Sequence, residues 1–206
     1  MKVFGGFFGM SREQVEGLMN AGLMNIRDFE KRQILMGMEG DPDEMGILLA
    51  GRALLESTNQ DDQRRILNYF GAQDLFYRKA FPDPEKGFYY VVSKTKCQVA
   101  YLNYAKLTAG RSAHGMRTRL LDEMVMRSQR RLMVHVDILG QRSMRQKLMA
   151  YFAYLSREAG SNSFEMPISL TDCADYLFVD RSAMMRELGK MKAEGLIRKQ
   201  GSRIEI

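Results

Sequence analysis

The chain has 206 residues, 45% of them hydrophobic and 27% charged, a composition that supports a globular core. No stretch approaches the ~18 consecutive apolar residues of a membrane span, and the N-terminus lacks the charged, apolar and small-residue series of a secretory signal, so a cytoplasmic protein with no membrane partner is expected. The net charge of +6 is lopsided: residues 1–110 carry 14 basic and 14 acidic side chains, residues 111–206 carry 17 and 11, and the C-terminal half is the candidate polyanion binder.

Ser11-Arg-Glu-Gln14 has the form of a capping box, and Val15, Leu18 and Met19 follow at helical spacing, which predicts a short amphipathic helix. From Phe29 to Lys106 the pattern changes to short apolar runs: Ile34 to Met38, Ile47 to Leu55, Arg65 to Phe70, Phe88 to Val92 and Cys97 to Leu102. Turn residues separate them at Glu39–Pro42, Asn59–Asp62, Gly71–Asp74 and Pro82–Pro84, a rhythm that predicts a β-sandwich or rolled barrel rather than parallel βαβ units. Cys97 and Cys173 stand alone, outside any disulfide framework or metal-ligand spacing, and are expected to be buried thiols.

Residues 111–139 contain no proline and are rich in Met, Leu and Arg, which suits one long helix. Leu121, Val125, Ser128, Leu132, His135 and Leu139 recur at alternating spacings of 4 and 3, the heptad rhythm of a helix that pairs with a second copy. A homodimer is the expectation, with the adjacent stripe of Leu120 and Met124 covering the β-domain; the alternative is a single helix lying on its own β-domain. Gly140 to Arg142 form a short hinge, and Ser143-Met-Arg-Gln146 is a second capping box, for a helix reaching Arg157. Phe164, Met166 and Ile168 alternate as a strand, and Ser169 is placed to cap a helix through Cys173, Ala174 and Leu177.

After a tight turn, Asp180 is placed to cap a helix from Arg181 to Glu194, with Met184, Leu188 and Met191 facing inward. Its other face shows Arg181, Ser182, Met185, Arg186, Gly189 and Lys190. Leu196 to Ile206 reads as a hairpin turning at Gly201. Two short helices joined by about three residues, the second basic on its outer face, form a unit that enters a DNA major groove. Arg181 and Arg186 can each pair with guanine O6 and N7, Ser182 can bond several bases, and Met185 can pack on a thymine methyl. Ser169, Lys190, Arg198, Lys199 and Arg203 suit phosphate. The expected fold class is α+β: an antiparallel β-sandwich or rolled barrel over 1–110, a dimerisation helix over 111–139 and a winged helix-turn-helix over 140–206.

The run from Ile168 through Asp180-Arg-Ser-Ala-Met-Met-Arg186 to Gly195-Leu-Ile197 resembles the C-terminal signature of Crp/Fnr transcription regulators. Glu39-Gly-Asp-Pro42 and Gly71-Ala-Gln-Asp-Leu-Phe76 are similar to the turns of that family's cyclic-nucleotide-binding-like roll, a resemblance that makes residues 1–110 an antiparallel β-roll. The resemblance implies a sequence-specific, non-enzymatic regulator that binds double-stranded DNA as a homodimer at a pseudo-palindromic promoter site, with Arg181, Ser182, Met185 and Arg186 reading bases. It implies RNA polymerase and an unidentified small-molecule effector as further partners.

Departures from the family pattern narrow the sensor. Nucleotide-binding members hold ribose and phosphate with a Gly-Glu pair and a downstream Arg-Ser or Arg-Thr; here Tyr77-Arg-Lys-Ala-Phe81 follows Leu75-Phe76 and neither pair is present. Leu132 and Met133 stand where nucleotide binders offer hydroxyls, so cyclic AMP is not the expected effector. An iron-sulfur cluster needs several N-terminal cysteines, and only Cys97 precedes the long helix. His114 and His135 are lone helical histidines, a weak basis for haem, and no cofactor or metal is expected. Tyr77, Arg78 and Lys79 are the candidate anion site for an effector. Phe178 occupies a turn position where the family usually has Gly, so that turn either avoids positive φ or carries strain. Ser182 replaces a frequent Glu, which implies a different target. A protein- or RNA-binding winged-helix adaptor remains the alternative. A cupin-like enzyme needs a metal cluster in the roll, yet residues 1–110 contain no His.

Overall fold

The computed structural model describes residues 12–58, 64–82, 88–108 and 114–206. Ser11, the turn at 59–62, Asp83-Pro84 and residues 111–113 lie outside the described residues, as do the side chains of Gln14, His114, Leu120, Leu121 and Met124. The chain divides into two compact units, residues 1–129 and 130–206.

In the first unit, helix α1 (Arg12–Asn20) leads into strands β1 (Met24–Phe29), β2 (Ile34–Met36), β3 (Glu44–Ala50), β4 (Ala53–Thr58), β5 (Arg64–Phe70), β6 (Leu75–Tyr77), β7 (Phe88–Ser93) and β8 (Cys97–Asn103), followed by α2 (Tyr104–Thr108). The strands form two antiparallel sheets, ordered β1-β8-β3-β6 and β2-β7-β4-β5. Strand β8 shows why they hold together. Its period of two sends Cys97, Val99 and Tyr101 into a core shared with Leu35, Leu48, Phe70, Phe76 and Val91. Its other face sends Ala100 and Leu102 to a second cluster with Met24, Met45 and Ile47, which Val15 and Leu18 of α1 complete. Both faces are apolar, so β8 reads as a continuous hydrophobic run rather than an alternating one.

The expected strand Ile47 to Leu55 is two strands. The chain reverses at Gly51, whose φ is +96°, and a Cβ there would lie 2.3 Å from the Lys96 carbonyl oxygen, so only glycine fits. Strands β1 and β6 and helix α2 were not foreseen: β1 is only partly buried and polar at Asn25, Arg27 and Asp28, and β6 has three residues. Cys97 and Cys173 are free and buried, as expected. Desolvation pushes the Cys97 thiol up, and pushes that of Cys173 up to about 12.

Helix α3 (His114–Leu139) spans the division between the units, which falls at residue 130 rather than at 110 or 139. The reason is local: His135 and Ile138, at 5% and 2% exposure, belong to the core of the second unit. The second unit continues with α4 (Met144–Ala159), β9 (Ser163–Glu165), α5 (Leu170–Leu177), α6 (Arg181–Ala193), β10 (Arg198–Gln200) and β11 (Arg203–Glu205). The capping box of α4 forms as read, Ser143 Oγ accepting from the Gln146 amide and Gln146 Oε1 from the Ser143 amide. Leu148, Tyr151 and Phe152 of α4, Leu177 of α5 and Met184 and Met191 of α6 are fully buried against one another's elements. The wing is the antiparallel sheet β10-β11-β9, its hairpin turning at Gly201 with φ +58°.

Candidate functional site

Helix α5 begins where Ser169 Oγ accepts from the Asp172 amide at 3.1 Å, and the same hydroxyl donates to Asp172 Oδ2 at 2.7 Å. Its proton is thus directed to the Asp172 carboxylate, which is buried. Helix α6 begins at Asp180, whose Oδ1 accepts from the Ala183 amide at 2.7 Å. With Met184, Leu188 and Met191 buried, the 3.6-residue period turns Arg181, Ser182, Met185, Arg186, Gly189 and Lys190 outward together, and all six are exposed. The four expected base readers therefore share one solvent-facing stripe. Arg198 and Arg203 are exposed on the wing, Arg198 at 3.8 Å from Glu205, and Lys199 is half-buried.

Helix α6 and its C-cap also carry two carboxylates, Glu187 and Glu194, which weaken a polyanion surface unless offset. Arg145 in the first turn of α4 pairs with both and offsets one of the two charges. Its Nε donates to Glu187 Oε1 at 2.5 Å, while Nη1 and Nη2 donate to the two oxygens of Glu194 at 2.6 and 2.9 Å. Bonding to Arg145 holds the Glu194 carboxyl below its ordinary range, and the paired carboxylates raise the guanidinium above its own. Reading the chain missed Arg145. The seven-residue interval from Glu187 to Glu194 marks one helical face, but nothing in the sequence assigns that face to α4.

Two family models match the chain, one for a cyclic nucleotide-binding domain over residues 26–112 and one for a Crp-like helix-turn-helix domain over residues 146–206. The chain belongs to the Crp/Fnr family. It is a DNA-binding transcription regulator of that type, with a nucleotide-binding-like roll and a winged helix-turn-helix. It is similar in structure to FixK2 from Bradyrhizobium japonicum, at 17% identity over 89% of this chain and 92% of that one, with a TM-score of 0.70. It is also similar to CLP of Xanthomonas campestris, described as a c-di-GMP responsive global regulator (18% identity, 93% and 98% covered, TM-score 0.67). A cyclic nucleotide-binding domain containing protein from Listeria monocytogenes EGD-e shares 12% identity over 94% of this chain and 96% of its own, with a TM-score of 0.75. At these identities the likeness carries the fold. None of the curated proteins matches the chain.

In this Crp/Fnr chain the apolar stripe of α3 departs from the expected seam. Val125 and Leu132 are exposed, at 38% and 42%, and Ser128 and Leu139 are half-buried. His135 is buried against its own chain and leaves the seam, a correction to the heptad reading; Leu121 has no described side chain. Met126, Met133 and Val136 are exposed instead, which broadens the stripe by about one residue around the helix.

The expected effector residues are spent on the roll's own loop. Arg78 donates to the Gly37, Glu39 and Asp41 carbonyls and pairs with Glu44, and its side chain is 10% exposed. Tyr77 Oη donates to Asp43 Oδ1, and Lys79 Nζ to the same atom, each at 3.3 Å. An anion at this place has to displace the carboxylates first.

Phe178 settles the question left by the turn: it caps α5 in the left-handed region, at φ +54° and ψ +50°. A Cβ in that conformation costs roughly 1 kcal/mol that glycine avoids. Phe178→Gly is therefore expected to be more stable than Phe178→Ala by about 1 kcal/mol in urea titration, since both lose the ring and only alanine keeps the strain. Equal stabilities would show that the backbone relaxes out of the left-handed region.

Proposed function

We propose that the protein works in the cytoplasm as a homodimer, paired along the α3 stripe of Val125, Met126, Leu132, Met133 and Val136, and reads a pseudo-palindromic promoter site. Arg181, Ser182, Met185 and Arg186 contact base edges in successive major grooves about 34 Å apart. Lys190, Arg198, Lys199, Arg203 and the amides beside Ser169 contact phosphate and set the register without reading sequence. Bound at a promoter, the dimer acts on RNA polymerase. The observation that carries this reading is the exposed basic stripe of α6, beside which the Glu187 and Glu194 carboxylates are both held by Arg145. An effector other than cyclic AMP is in keeping with Arg78 filling the roll's loop with its own guanidinium.

Selection from a random duplex library tests the reading. The expected winner is an inverted repeat with half-site centres about 10 bp apart. Its affinity should fall steeply with salt, by a log–log slope of about −0.9 for each phosphate neutralised. Enrichment of no duplex, together with retention of RNA or protein, would replace this reading with the adaptor.

A further inference from the structure

The last turns of α3 are tied to the helix-turn-helix by one side chain. His135 lies flat on the Tyr176 ring, centroid to centroid 3.7 Å and 5° from parallel. Its Nε2 is 2.7 Å from the Tyr176 carbonyl oxygen. A carbonyl only accepts, so Nε2 carries the proton and donates. That carbonyl belongs to the last turn of α5, where helix carbonyls run out of intrahelical partners. The imidazole thus serves as a C-terminal cap supplied by another helix. On its other side it meets Phe178 edge-on at 5.9 Å, the residue that turns the chain from α5 toward α6.

The contact continues inward. Tyr176 packs on Tyr151 at 5.3 Å, Tyr151 on Phe152 at 6.3 Å, and Phe152 on Phe164 of the wing strand β9 at 6.1 Å. A row of rings therefore runs from α3 through α5 and α4 to the wing, with His135 as its terminal member. Interiors this closely packed transmit displacement rather than absorb it.

We infer that His135 is a positioning residue that fixes the angular setting of the recognition helix α6 relative to the last turns of α3. This rests on the reading of α6 as the DNA-reading helix. A rotation of α3 moves the imidazole, and the imidazole carries the α5 carbonyl end and the Phe178 turn with it. The Gly140 to Arg142 hinge then does not set the angle, because the angle is held one turn earlier. The arrangement also explains an aromatic residue at a left-handed position: the ring that strains the turn is the ring that grips His135.

Two spin labels placed at Arg130→Cys on α3 and Lys192→Cys on α6 test the setting without DNA, since both native cysteines are buried and both labelled positions are exposed. Dilution with unlabelled chain restricts the reading to one molecule. The parent should give a single narrow distance distribution. His135→Ala should broaden or shift it at a temperature where circular dichroism shows the variant folded, and His135→Phe, which keeps the stack and the edge contact but lacks the donor, should fall between the two. In parallel, unlabelled parent should prefer the selected half-site spacing over spacings altered by two base pairs, and His135→Ala should lose about tenfold of that preference, the size of a typical coupling between elements. Identical distributions for all three folded proteins would overturn the inference. So would a lowered melting temperature with distance and spacing preference intact, because His135 would then be an ordinary core residue. Failure of the parent to bind any duplex selectively would count against the proposed function alone, and the distance measurement would still decide the role of His135.

Discussion

Replacing Arg186 with alanine should reduce affinity for the selected inverted repeat by about 1–3 kcal/mol per half-site, roughly 5- to 150-fold, while affinity for random duplex changes little. The residue is exposed in the second turn of α6, on the stripe with Arg181, Ser182 and Met185, and the ion pairs of its helix are made by Glu187 and Glu194. Among the described residues Arg186 makes no ion pair, so on the proposed reading the energy of a bidentate guanine pair is not offset by the loss of an internal one. Lys190→Ala makes the contrast. A lysine on phosphate is a point charge without sequence information, so specific and random affinities should fall together and the salt slope should shrink by about one. Titration of both variants against the selected repeat and a scrambled duplex separates the roles. An unchanged ratio of specific to random binding in Arg186→Ala would remove it from the base readers.

How far the chain was legible depends on how local each signal is. The capping box at Ser143 and Gln146, the Asp180 cap and the inward row of Met184, Leu188 and Met191 are set by neighbours within one or two turns, and they stand as read. The same locality placed Arg181, Ser182, Met185 and Arg186 on one face. Features that depend on remote partners were harder. The heptad spacing of α3 reports that residues share a stripe but not what the stripe meets, and His135 faces Tyr176, 41 residues away, instead of a second copy. The guanidinium of Arg78 looked like an anion site in sequence, whereas the fold brings Asp41, Asp43 and Glu44 against the same segment and consumes it. Strand β6 has three residues, too few for a period to show, and β3 and β4 merged because only Gly51 and Arg52 separate two apolar runs. Charge counting pointed to the right half of the chain, yet only the geometry separates the arginines of α6 that face solvent from Arg145, which serves its own carboxylates.

The second large effect expected is on stability. Phe152 of α4 is fully buried and packs on Tyr151 and on Phe164 of β9, so it joins the helical part of the second unit to its wing. Phe152→Ala should cost about 3–5 kcal/mol, the sum of lost transfer energy and the cavity left behind. That is a large share of the 5–15 kcal/mol typical of a whole domain, and the transition assigned to residues 130–206 should move to much lower urea. A control at the far end of the same helix, Arg157→Ala, removes an exposed side chain and should stay within about 0.5 kcal/mol. The DNA readout separates this mechanism from that of Arg186. A core cavity reduces the folded fraction but leaves the recognition stripe of the remaining folded molecules as it was, so Phe152→Ala should bind specific and random duplex less well by the same factor. If it lowers the specific-to-random ratio as well, the Phe152 ring orients α6 in addition to stabilising it, and the row of rings that starts at His135 has an effect on recognition along its whole length.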